Sequence, residues 1–570
     1  MTQTVSHIIT DALIQAGAKH CYGIVGDTIN HFTNAISQSS LKWISVRHEE
    51  VAGFAAGAEA YMTQQLAVCA GACGPGSLHF INGIYESHRN GAPVVFIATN
   101  VDRNEEGFQF PQEVDQKKIY EQYSVFCERV SHPSQARRVV TMAAQAALAK
   151  GGVSVVVVNG DVFKEKVDDS LAWRTTISRP VVVPEKDDVE ALAKLINEHE
   201  KITVYAGIGA RRAPHHLIEL AQKIKAPLVH TTKAKEFFEA DNPCNAGMTG
   251  ILGNKAGMQA MNEAQLVLCF GTDFAYTQFW PERAIIVQID TNPANLGKRA
   301  PITMGLVGDA ADTAEILLPL VSEKTTTRHL NAALTQFDDD HKGYAESGES
   351  TENLIHPQTL AQRIDHFAQE DAIFTADGGS PMVWMLRHIR ANGQRRFLSS
   401  LSHGTMANAY PQALGIANAF PQKQVIALCG DGGMTMLMGD LLTLVQHKLP
   451  VKLVIFNNSS LGFVEMEQRV EGMLDAYTEL KNPDFSAVAQ ACGLKGWKVD
   501  KLSQLDSAIE QWLASDGPAI LDVAVNRMEL VMPPEIEFNQ VASTAMFGMK
   551  AVLNGRTDEV VSLIKDNFIR

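Results

Sequence analysis

The sequence predicts an α/β protein of three parallel-sheet domains, and three observations carry that reading. Short apolar runs alternate with helix-period stretches almost throughout, the pattern of parallel sheets layered with helices. At 570 residues the chain exceeds what one core can hold, since domains average about 150 residues. Two polar stretches divide it into blocks of comparable size. One spans 159–188, with a proline at each end of "PVVVP"; the other, 323–357, carries a DDD run and a Gly/Ser/Glu cluster and is expected to be partly helical. The units that follow are 1–180, 189–335 and 355–530, with an amphipathic tail over 531–570.

Composition narrows the function classes. A hydrophobic content of 45% with 20% charged residues is that of an ordinary globular protein. A net charge of −15 argues against nucleic acid as a partner, because phosphate binding needs clustered Lys and Arg. The eight cysteines are scattered, and the nearest pair, Cys69 and Cys73, has no second pair beside it. That scatter fits free thiols in a reducing cytoplasm. The N-terminal stretch "MTQTVSHIITDALIQAGAKH" reads as a Thr- or Ser-capped amphipathic helix rather than a cleavable signal. No run approaches the ~18 apolar residues of a membrane span, and "VSVVVV" at 153–158 is expected to be a buried strand. No short repeat of the solenoid kind is present.

The chemistry-bearing residues cluster in the third block. "QVIALC" reads as a strand and "MTMLMGDLLTLVQHK" as a helix, which puts Gly430-Asp431-Gly432 at a strand's carboxyl end, where parallel sheets hold ligands. The next helix offers free N–H groups suited to a diphosphate. A second strand, "PVKLVIF", ends in Asn457-Asn458, one helix and one strand further on. The acid and the amide can therefore meet at one sheet edge as hard oxygen donors for Mg²⁺. Each motif alone is also explained as a tight turn or a loop cap. In the first block, "VRHEEVAGFAAGAEAYM" opens a small-residue helix with Glu49 and Glu50, which also suit a helix first turn. In the middle block, apolar strands end in Gly, Thr or Asp. Gly207-Ile208-Gly209 is a bare GxG, and Asp290 suits either a ribose hydroxyl or the turn before Asn292-Pro293.

The GDG…NN pair resembles the signature of thiamine-diphosphate-dependent enzymes. By that resemblance Asp431, Asn458 and the carbonyl of Ser460 hold Mg²⁺, and Gly430 and Gly432 flank the cofactor's diphosphate. The "HEE…F…A…A" pattern assigns Glu49, five residues before Phe54, as the carboxylate that hydrogen-bonds the cofactor's pyrimidine. Glu49 lies in the first block and Asp431 in the third, so the cofactor bridges two domains, usually of two chains in this family. In "SHGTMANAY", Met406 resembles the residue that bends the cofactor into a V, and the Gly404 carbonyl would accept from its amino group; a core methionine is the plainer alternative.

Similarity to the quinone-dependent pyruvate oxidases of that family runs through nearly the whole chain, including "CGPGSLHFINGIYESHRN", "DNPCNAGMTG" and "FNNSSLGFVEME". It implies FAD along Gly250, Ile251, Leu252, Gly253, Gly271, Thr272, Asp273, Phe274, Ala275 and Asp290. It places Gln112, Phe463, Val464 and Glu467 near substrate and flavin, although core packing also explains Phe463. Lys233-Ala234 stand where the relatives have Arg-Gly, and Pro111 stands where an aromatic is usual. The implied activity is oxidative decarboxylation of pyruvate to acetate and CO₂, with electrons passing through FAD to a membrane quinone in a homotetramer. The alternatives are a non-redox decarboxylase or acetolactate-type carboligase, and a catalytically silent membrane-bound scaffold.

The tail "RTDEVVSLIKDNFIR" puts Val560, Val561, Ile564 and Phe568 on one helical face with Leu563 beside it. Asp558 and Glu559 suit its start, and Lys565 and Arg570 its end. It reads either as a helix packed on its own domain or, by resemblance, as the segment that docks on phospholipid. The second reading implies a cytoplasmic protein held at the inner face of the cell membrane.

Overall fold

All neighbouring strands in the three main sheets are parallel, so each connection is a crossover, and helices supply most of them. The computed structural model describes residues 2–168, 173–178, 180–346, 350–529, 546, 547, 550, 551 and 561. Among these lie three six-stranded sheets and one two-stranded pair. Across the first sheet the strands are Lys42–Ser45, His20–Gly23, Ala67–Gly71, Val94–Asn100, Val153–Asn159 and Phe126–Arg129. Across the third they are Arg396–Ser399, Ile373–Ala376, Val425–Gly430, Lys452–Asn457, Ala519–Ala524 and Lys495–Val499. In chain order both sheets run second, first, third, fourth, sixth, fifth. The central sheet, Asn245–Met248, Leu228–His230, Ile202–Ala206, Leu266–Phe270, Ile285–Asp290 and Met304–Val307, runs third, second, first, fourth, fifth, sixth. That last order is the doubly wound one, with its reversal between Ile202–Ala206 and Leu266–Phe270.

The sequence explains these strands. Val153–Asn159, "VSVVVVN", is buried along its whole length, as a β-branched strand covered by helices on both faces must be. The helix Glu49–Thr63 is rich in Ala and Gly because its neighbours come very close. A Cβ on Gly57 would fall 1.9 Å from Ser87 Oγ, and one on Gly415 would fall 2.0 Å from the Ala55 carbonyl oxygen. Helices Glu49–Thr63, Ile81–Arg89 and Ala409–Ala419 therefore pack at short interaxial distance. Phe54, Ile84, Leu414 and Ile416 share one buried cluster, which joins the first domain to the third.

Both polar stretches contain ordered elements. Helix Arg328–Glu346 lies in the second, and in the first Lys166–Asp168 pairs antiparallel with Thr2–Thr4. The N-terminal helix is Val5–Gln15, capped by Thr4. In the tail, Phe547 and Ala551 are buried against Met466 and Leu474, and Val561 is exposed. The other tail positions singled out, Asp558, Glu559, Val560, Leu563, Ile564, Lys565, Phe568 and Arg570, lie outside the described residues. No described helix is long and apolar enough to cross a membrane.

Candidate active site

In the third domain the strand order changes direction between Ile373–Ala376 and Val425–Gly430, and a half-open cleft lies at their carboxyl ends. Asp377, Gly378 and Gly379 follow the first of these strands; Asp431 and Gly432 follow the second. Asn458 and Ser460 come from the end of the neighbouring Lys452–Asn457 strand. Met406, Phe463 and Val464 also line the cleft. A Cβ on Gly432 would come within 2.9 Å of Leu461 Cδ2 and 3.1 Å of Met406 Cε, so a larger residue there would crowd both side chains in the cleft.

Asp431 is buried and accepts from Gly432 N at 2.9 Å and from Asn482 Nδ2 at 2.8 Å. Burial pushes its carboxyl up to about 6. A cation beside it would offset that penalty. Asn458 Oδ1, which accepts from Ser460 N at 3.0 Å, and the Ser460 carbonyl add uncharged oxygens of the same hard class. One carboxylate, one amide and one carbonyl fit Mg²⁺ that takes its remaining ligands from phosphate and water.

Asp377 supports this arrangement from beneath. Its carboxylate accepts from Ala409 N at 2.9 Å and from Gly430 N at 3.0 Å, which ties the Met406 loop to the GDG turn. Gly433 has to lack a side chain, because a Cβ there would lie 2.3 Å from Asp377 Oδ2. Sequence reasoning passed over Asp377, Gly378 and Gly379, although "AIFTADGG" repeats the strand-acid-glycine pattern of "IALCGDGG". It also passed over Asn482, which no local motif marks.

Glu49 sits in a different place. It is buried at the start of its helix, with Oε2 3.0 Å from His79 Nδ1 and Oε1 3.6 Å from where a Cβ on Gly76 would lie. Gln112 belongs to the same neighbourhood: it has φ +69°, packs on Gly74 and accepts from Cys73 Sγ at 3.3 Å. Among the described residues, all those lining the Asp431 cleft lie between Pro357 and Glu529. One chain therefore does not bring Glu49 and Gln112 to Asp431. Glu50 is engaged elsewhere, accepting from Asn82 Nδ2, which also reaches Thr405 of the third domain. Glu467 is exposed and does not line the cleft; its neighbour Glu465 is buried in an ion-pair network with Arg469 and Arg527. Gly404 has φ +76° in the loop that carries Met406.

The central sheet gathers the other predicted residues at its carboxyl edge. Gly207 and Gly271 meet at the reversal point, where a Cβ on Gly207 would be 2.3 Å from the Gly271 carbonyl oxygen. Gly250 has φ +101° and faces the Phe274 ring. Leu252 and Gly253 continue that turn, Ile251 is partly exposed, and Thr272 is buried. The hydroxyl of Thr249 is buried without a hydrogen-bond partner, a feature that suits a ligand bearing hydroxyl or phosphate oxygens. Asp273 pairs with Arg299 and Lys298, and Ala275 is exposed. Asp290 accepts from Asn292 N at 2.8 Å and from Asn295 Nδ2, so it caps its own turn. Lys233 Nζ donates to Asn90 Oδ1 at 2.9 Å in a small crevice lined by all three domains, and burial pulls its ammonium down to about 8.

Comparison with known proteins matches this layout. Residues 3–119 match the N-terminal TPP binding domain of thiamine pyrophosphate enzymes, 189–317 the central domain and 377–523 the C-terminal TPP binding domain. The chain is 35% identical over 570 residues to YdaP of Bacillus subtilis (strain 168), described as a thiamine pyrophosphate-containing protein, covering 99% of this chain and 98% of that one. It is 28% identical to pyruvate oxidase of Lactiplantibacillus plantarum, over 93% of this chain and 90% of that one. It is also 28% identical to the acetolactate synthase isozyme 2 large subunit of Escherichia coli (strain K12), over 92% and 96%. With three domains in family order and a cleft of matching donor chemistry, the chain belongs to the thiamine pyrophosphate enzyme family.

Proposed function

We propose that this enzyme decarboxylates pyruvate oxidatively to acetate and CO₂ and passes the electrons through FAD to a membrane quinone. The observation that carries the redox half is the doubly wound central sheet, whose glycine-rich carboxyl edge holds the unpartnered Thr249 hydroxyl. The likeness to a pyruvate oxidase supports the substrate. Thiamine diphosphate, when bound, supplies the carbon nucleophile and the electron sink for loss of CO₂.

The chain supplies the rest. Asp431, Asn458 and Ser460 bind Mg²⁺, and the Gly378–Ser380 and Gly430–Gly432 turns offer backbone N–H groups to a diphosphate. Met406 orients the cofactor from the floor of the cleft. Glu49 holds a proton for the pyrimidine, and because it stands apart from Asp431 in one chain, it reaches the cleft of a second copy. Phe463 and Val464 border the entrance and limit access of water. The C-terminal tail attaches the protein to the inner face of the cell membrane through phospholipid, bringing flavin and quinone together.

A second reading is favoured by one observation: Lys233 is committed to Asn90, so its charge is turned to a domain junction. On that reading the chain is a non-redox carboligase, like the acetolactate synthases, with a structural flavin or none. One experiment separates the two. A yellow protein bleached anaerobically by pyruvate is expected; a protein that evolves CO₂ from pyruvate while colourless, or while its yellow colour stays unbleached, would establish the second reading instead.

A further inference from the structure

Helix Ser380–His388 touches both candidate cofactor regions. Its first turn, with Gly378 and Gly379 before it, lines the Asp431 cleft, as does Trp384. Near its other end Arg387 crosses to the central domain. Its Nε donates to the Leu252 carbonyl and its Nη2 to the Gly253 carbonyl, each at 3.3 Å. The ring of Tyr344, from the connector helix, lies 5.7 Å from the guanidinium carbon. The loop Arg387 holds is seated firmly, because Met248 and Leu252 are buried in the third domain's own core cluster together with Trp384 and Met385. The loop then ends at Asn254, whose side chain caps helix Lys255–Asn262 by accepting from Gly257 N.

We propose that Arg387 is a positioning residue that transmits occupancy of the Asp431 cleft to the Thr249–Gly253 loop. A diphosphate at the Gly378–Ser380 turn fixes the start of this helix. The helix is only nine residues long, so its far end, about 10 Å along the axis, is fixed with it. The planar fork of Arg387 then sets two successive carbonyls in one fixed geometry, which the rotatable donors of an ammonium hold less rigidly. The loop carries Gly250 at positive φ and the unpartnered Thr249 hydroxyl, so fixing it pre-forms the central-domain site. Occupancy at one site thereby raises affinity at the other, and the effect is reciprocal. Only this last step rests on the flavin reading.

The test uses the full-length protein and two readouts. In hydrogen exchange, thiamine diphosphate with Mg²⁺ should slow exchange of amides in 249–254 by about fivefold or more in the wild type. R387M should still bind thiamine diphosphate but lose that protection, and R387K, which keeps the buried charge and the stem, should retain only part of it. Unchanged exchange in the wild type, or full protection in R387M, would overturn the proposal. In the second readout, FAD affinity is titrated by flavin fluorescence with and without thiamine diphosphate and Mg²⁺. Tightening in the wild type that disappears in R387M supports the coupling; equal tightening in both overturns it. If FAD binds no form of the protein while Arg387-dependent protection persists, the flavin reading fails and the positioning role stands.

Discussion

The side-chain amide of Asn482 donates to Asp431 Oδ2 at 2.8 Å and to Asn457 Oδ1 at 3.0 Å, from a loop that folds back over the metal-loop backbone. It thereby aims the carboxylate. Partners of this kind are worth about 10–100-fold in metal affinity. N482A is expected to weaken Mg²⁺-dependent binding of thiamine diphosphate by about that factor, and D431A to abolish it. Calorimetric titration checks both, and unchanged affinity in D431A would remove the metal assignment.

E49Q should fold and bind cofactor, since the substitution is isosteric and leaves Asp431, Asn458 and Ser460 of the metal cleft untouched. It should slow proton exchange at C2 of bound thiamine diphosphate by orders of magnitude, because an amide polarises the pyrimidine far less than a carboxylate. Deuterium exchange followed by NMR reports this. Wild-type exchange would move the role to another acid.

Burial pushes Asp377 from 3.8 up to about 7. Its folded value lies above its unfolded one, so between these limits the folded chain holds a proton that the unfolded chain releases. Stability from this group is fully present below roughly pH 4 and is lost as pH rises through about 7, at about 1.4 kcal/mol per unit. Cofactor-free protein should therefore melt at a lower temperature at pH 8 than at pH 5. In D377N that difference should shrink. An equal pH dependence in the variant would show that other groups carry it.

Much of the fold was legible because it is written locally. Strand-helix alternation follows from residue periodicity, and Asp431 and Asn458 were found because one crossover joins successive strand ends, although the single helix expected there is two, Asp431–Leu437 and Leu441–Gln446, joined by a 3-10 turn. Strand order was not legible, since pairing joins residues far apart in sequence. The reversal beside Asp377 and the one beside Gly207 and Gly271 emerge only from it. Asn482 and Arg387 had no signal either. One lies in an irregular loop and the other in an ordinary helical pattern, and each takes its meaning from a distant partner. Glu467, carried over with its neighbours, is exposed because it lies two residues, about 200° around the helix, from the buried Glu465.

The tail gives a separate prediction. On the proposed function, removing residues after Gly555 should spare pyruvate oxidation with a soluble dye and remove both phospholipid binding and quinone turnover. Phe547, buried against Met466 and Leu474, stays in that truncation, so the helix behind the metal loop keeps its cover. A truncated enzyme that reduces membrane quinone as fast as the full chain would make the tail purely structural.

The tight seating of Gly415 on Ala55 fixes the first and third domains of a chain to each other, with Glu49 held away from that chain's own Asp431. Two inactive proteins should then repair one another. E49Q chains carry a sound metal cleft, and D431A chains carry a sound Glu49. In a mixed pair one composite site loses both groups, while the other regains both. Random reassortment of equal amounts as dimers should restore about a quarter of wild-type sites, read as turnover that appears only after the two variants are unfolded and refolded together. Co-refolding that restores nothing would mean that each chain completes its own site.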